Sequence, residues 1–149
     1  MTETVFEPVV VVPNNKEDLE TANGWYHELV DVKRFNLTEG QFELLLNGNG
    51  LFYDLAELSD FFIDYYECAR IELANLSAAL KLVNDYNINA KNDEEKKVLE
   101  IIIESLNYAI DRDTFWEIWC CPKGALDSFI SYNFDPNNPV KRKPKKEIN

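Results

Sequence analysis

The stretch LFYDLAELSDFFIDYYECARIELANLSAALKLVNDY, residues Leu51–Tyr86, decides how the chain is read. Leu55, Leu58, Phe62, Tyr65, Ala69, Leu73, Leu76, Leu80 and Val83 recur at spacings of three and four, which puts them on one side of a helix. The other side begins acidic, with Glu57, Asp60, Asp64 and Glu67, then turns apolar or small at Ile71, Ala78 and Leu82. A helix apolar on one side lies on a core, and one apolar all round lies inside it. The pattern predicts one long helix over about 51–86. Its second half is central, and its first half holds four carboxylates away from the core.

Helical signals continue on both sides of this stretch. Thr38 followed by Gln41 is a capping box, opening a helix that runs to about Leu46 and stops at Asn47-Gly48-Asn49-Gly50. That turn lacks the glycine spacing of a nucleotide loop and reads as a helix–helix connector. Asp93-Glu94-Glu95 places acids at the positive end of a further helix. Its apolar stripe is Val98, Leu99, Ile102, Ile103, Leu106, Ala109 and Ile110, with Glu100, Glu104, Asn107 and Asp111 opposite. Asp113 is read as the cap of a helix over Thr114–Cys120, and Pro122 as its break before another helix over about Lys123–Tyr132. Short helices are expected over Glu17–Ala22 and Trp25–Val32. Val9–Val12, between Pro8 and Pro13, is a β-branched run in an extended arm over residues 1–15. The expected architecture is all-α: a compact multi-helix bundle in one domain over residues 1–140, with at most one stray strand and a disordered basic tail over 141–149.

Charge narrows the functional classes. The 149-residue chain has a formal net charge of -12. Its last nine residues carry five basic residues and one acid, so residues 1–140 stand at -16. A body this acidic repels phosphate backbones, which makes direct nucleic-acid binding by it an unfavourable reading. Three cysteines, Cys68, Cys120 and Cys121, are too few for a disulfide framework and fit a reduced, cytoplasmic setting. The start of the chain lacks the basic residues of a signal peptide, and no apolar run approaches the ~20 residues of a membrane span.

The carboxylates are the strongest chemical signal. Spacings of three and four align Glu57, Asp60, Asp64 and Glu67, and Glu100 and Glu104 make a second row. Exposed rows of this kind suit a basic protein partner, as in inhibitors, immunity proteins or nucleic-acid mimics; self-association as a homodimer is a second partner class. A different expectation makes Asp60, Asp64, Glu67, Glu100 and Glu104 ligands of Mg or Mn in a phosphohydrolase acting on nucleotides or nucleic acid. Lys96, Lys97 or Arg112 would then neutralise phosphate. The pairs Glu57-x-x-Asp60 and Asp64-x-x-Glu67 are similar in spacing to those of the all-α nucleoside triphosphate pyrophosphatases. That family places its pairs on two successive helices, whereas here both share one segment and Glu100-x-x-x-Glu104 is spaced differently. His27 is the only histidine, and no Gly-x-Ser-x-Gly elbow or Cys-x-x-Cys pair is present, so nucleophilic and zinc chemistry lack their usual side chains. Binding without catalysis is the expected function.

Overall fold

The computed structural model describes residues 5–18 and 31–123. The fold is α+β, not all-α. Four strands form one antiparallel sheet: β1 (Phe6–Pro13), β2 (Val32–Asn36), β3 (Cys68–Ile71) and β4 (Trp116–Pro122), in the spatial order β2-β1-β4-β3. Among the described residues four helices accompany it: α1 (Glu39–Glu43, continued by a π turn over Leu44–Gly48), α2 (Leu51–Ala56), α3 (Leu73–Ile88) and α4 (Asp93–Arg112). The expected helices over Trp25–Val32 and Lys123–Tyr132, the basic tail, His27 and residues 19–22 of the Glu17–Ala22 helix lie outside the described residues, apart from Asp31, Val32, which opens β2, and Lys123. Lys16–Asp18 forms a single 3-10 turn.

The extended arm is the middle of the sheet. β1 pairs with β2 on one side and β4 on the other, with Val10 opposite both Phe35 and Ile118. Side chains alternate across a sheet, so Val10 and Val12 point to one face and Val9 and Val11 to the other. All four are at most 4% exposed, because both faces are withdrawn from water. That is why the run is uniformly apolar and shows no alternation.

The helix expected over Thr114–Cys120 is instead the strand β4. Trp116, Ile118 and Cys120 enter the core, while Glu117 and Trp119 face the other way. The spacing of Trp116 and Trp119 fits a helical side, but the segment is aromatic and β-branched, which favours the pleated surface. Asp113 does not open a helix. It ends α4 in the left-handed conformation, φ 59°, and its amide closes onto Ala109 and Ile110.

The single helix expected over 51–86 is also overturned. It is α2, an irregular loop over 57–67, the edge strand β3 and then α3. Ser59 and Asp60 supply the physical reason. The Ser59 hydroxyl bonds the Ala56 and Phe61 carbonyls and accepts from the Phe61 amide. Asp60 Oδ1 accepts from the Arg70 amide at 2.8 Å, and the Asp60 amide donates to the Arg70 carbonyl at 3.1 Å. Short polar side chains of this kind offer the backbone partners outside the helix. The same bonds close the outer edge of β3 at Arg70, where an open ladder would invite another strand.

α4 follows expectation. Asn92 accepts from the Glu95 amide as N-cap, and Val98, Leu99, Ile102, Leu106 and Ala109 are fully buried. α4 lies against β1 and β4, and α3 packs along it. Thr38–Gln41 forms the expected capping box at α1. Gly50 takes φ 81° at the turn into α2, a conformation suited to glycine. No helix among the described residues is long and apolar enough to cross a membrane.

Candidate functional site

The loop 57–67 joins a buried helix to an edge strand, and its inward positions are taken by Leu58, Ile63 and Tyr65. Ile63 is 4% exposed in the core, and Leu58 and Tyr65 pack against it. The Tyr65 ring lies 5.0 Å from Phe42 and 4.8 Å from Phe6, and its hydroxyl donates to Glu43. Burial, then that carboxylate, push the Tyr65 hydroxyl pKa up; the same bond holds Glu43 below the usual carboxylate range.

Phe61 and Phe62 are left outside. They are 46% and 68% exposed, their ring centroids 5.1 Å apart and tilted by 53°. Tyr53, on the exposed side of α2, is 59% exposed, with its hydroxyl donating to Asn47. These three rings, with Glu57, Ser59 and Asp60, line a cleft of about 580 Å³. Neighbouring large apolar side chains on a surface mark an interaction site more often than a chance exposure.

The loop is irregular but fastened. The Ser59 and Asp60 bonds hold its first turn, and Asn75 of α3 donates to the Leu58 carbonyl. Its second turn is zipped to β4: the Tyr66 amide donates to the Cys120 carbonyl, and the Cys120 amide to the Glu67 carbonyl. Tyr66 takes φ 69° there, a strained conformation that the flanking bonds maintain. The aromatic pair therefore stands on a held platform, and a partner would lose little entropy in ordering it.

The sequence-predicted carboxylates divide into two groups. Glu57, Asp60 and Asp64 are exposed and Glu67 is half-buried, all on this one loop and not on a helical face. Among the described residues none of the four forms an ion pair with a lysine or arginine. Segment 57–67 contains no basic residue, so the field at the cleft is negative. Asp60 is committed to the Arg70 backbone, and Asp64 accepts from the Tyr65 amide. Glu100 and Glu104 are exposed on α4. No group of three or more His, Cys, Asp or Glu able to hold a metal ion forms among the described residues, so Asp60, Asp64, Glu67, Glu100 and Glu104 do not assemble as a ligand set.

Tyr53, Phe61 and Phe62 are the site residues that sequence reasoning missed. Phe62 fits the apolar stripe of a helix, which assigns it to the core. The available signal was Ser59-Asp60 just before an aromatic pair: turn chemistry that ends the helical period before Phe61.

The far face of the sheet holds a second charged group. Glu117 of β4 is 2% exposed, directly opposite Arg70 of β3, whose Nη2 lies 3.3 Å from Glu117 Oε1. The Arg70 guanidinium also lies 3.7 Å from the centroid of the Phe115 ring. Burial pushes the Glu117 carboxyl up to about 7, with Arg70 pulling the other way. Burial and the nearby Glu117 likewise push the Cys68 thiol up to about 12. Burial raises Cys120 to about 12 as well, and all three cysteines are free. Protonated thiols are poor nucleophiles, so burial leaves Cys68 and Cys120 unactivated for nucleophilic attack.

No protein family, curated protein or solved structure shows a significant match to the chain.

Proposed function

We propose that this protein binds a basic protein partner through the cleft of loop 57–67, without catalysing a reaction. The observation that carries the reading is the exposure of Phe61 and Phe62 on a fastened, wholly acidic loop. Aromatic anchors give an interface its affinity, and unpaired like charges around them select a partner of opposite sign and speed its approach. In place of a helical row, the carboxylates follow one loop: Glu57 and Asp60 form the acidic rim of the cleft, and Asp64 and Glu67 stand further along the same segment. Glu100 and Glu104 on α4 extend the negative field.

The test uses the full chain as bait and a Phe61→Ser/Phe62→Ser double variant as its control. Phe62 is mostly and Phe61 about half in water, so the variant should stay folded, with a loss of about 1 kcal/mol at most per site. The expected result is a basic protein retained by the wild type at low salt, released as salt screens the rim, and not retained by the variant. Equal retention by the variant, or retention indifferent to salt, overturns the reading.

A further inference from the structure

Resting on that partner reading, we infer that the cleft receives an arginine side chain of the partner, stacked on Tyr53, Phe61 and Phe62 and paired with the Glu57 carboxylate. Among the described residues three rings and two acids line it, and no lysine or arginine does. A cation is the one common side-chain type that complements both features, because ring faces and carboxylates each attract positive charge. The depression, about 580 Å³, is open, so a side chain laid on the rings would keep one side in water.

The fold uses this full combination once with its own arginine, Arg70, and the cation–ring half of it again at Arg112. Arg70 lies 3.7 Å over Phe115 while pairing with Glu117, and Arg112 lies 3.9 Å over Tyr108. The cleft repeats the ring-and-carboxylate half of the Arg70 arrangement, and no cation lines it among the described residues. Arginine fits better than lysine because its planar guanidinium can stack and still present two parallel N–H groups to a carboxylate. Asp60 Oδ1 already accepts from the Arg70 amide, which makes Glu57 the less committed of the two carboxylates.

The test is an NMR titration of the full chain with three capped tripeptides, Gly-Arg-Gly, Gly-Lys-Gly and Gly-norleucine-Gly. The arginine peptide should shift the amides of Tyr53, Glu57, Phe61 and Phe62 saturably. The lysine peptide should bind more weakly, and the norleucine peptide should leave those signals in place. Phe62→Leu keeps an apolar side chain and should weaken arginine binding about two- to fivefold by removing one cation–ring contact. Glu57→Gln should weaken it independently. No saturable shift up to about 10 mM, equal binding of lysine or norleucine, or an unchanged Phe62→Leu variant would each overturn the inference. A salt-sensitive basic partner retained by the wild type alongside a null peptide titration would sink only the arginine pocket. Loss of both would sink the partner reading too.

Discussion

Arg70→Met should lower stability by about 3–5 kcal/mol at pH 8, because it strips the paired charge from a buried carboxylate. The pH profile separates this cause from simple loss of packing. The folded-state pKa of Glu117 is raised to about 7 from an ordinary 4.5, so the folded state holds a proton that the unfolded state releases between those values. The stability linked to that proton is fully present below about 4.5 and is lost as pH rises through 7. In the wild type this loss ends just above 7, where Glu117 is ionised in both states. In Arg70→Met the carboxyl stays protonated to higher pH, so the variant goes on losing about 1.4 kcal/mol per pH unit. Urea unfolding of both proteins at pH 7, 8 and 9 should show diverging stabilities. Parallel profiles would mean that Arg70 acts through its stack on Phe115 and not through the Glu117 charge.

Trp116→Ala should be about as damaging, at about 3–5 kcal/mol. Trp116 is the largest fully buried side chain among the described residues and sits where β4 meets α4. Its indole Nε1 donates to Ser105 Oγ at 2.7 Å, and that hydroxyl donates to the Ile102 carbonyl at 2.7 Å. Truncation opens a cavity between sheet and helix and breaks the first link of this chain. Trp116→Phe refills most of the space and loses mainly the hydrogen bond, for about 1–3 kcal/mol. The ordering of the two variants in urea midpoint is the check. A Trp116→Ala cost below about 1 kcal/mol would show that the sheet and α4 are not one cooperative core.

Period and local chemistry were legible in the sequence wherever they agreed. α4 has an N-cap, acids in its first turn and an unbroken apolar stripe, and it forms as read. The capping box at Thr38 is equally local. The sheet was hidden because its strands show little alternation. β1 is buried on both faces and reads as a plain apolar run, while β4 carries two tryptophans at a helical spacing. Non-local pairing set both outcomes: β4 supplies ladder partners to β1 and β3 at once. The stretch 51–86 misleads for a related reason. A 3.6-residue period can persist by chance through a loop and a four-residue strand, and Ser59 and Asp60 alone announce the break.

The candidate site was half legible for the same reason. Helical spacing singled out Glu57, Asp60, Asp64 and Glu67, which the structure places together on one loop, where among the described residues they form no ion pair with a lysine or arginine. Helical geometry assigned Phe62 to the core, and so hid the aromatic half of the cleft. Once the loop is freed from the helix, its apolar residues sort by use: Ile63 and Leu58 anchor it, and Phe61 and Phe62 remain available.

Site-directed photo-crosslinking asks most directly where a partner sits. A photoreactive phenylalanine analogue placed at position 62 should capture a basic protein in a low-salt cell extract, and the same group at position 104 on α4 should give little or no product. Capture from position 104 with none from position 62 would place the partner on the helix and contradict the loop cleft as the binding surface.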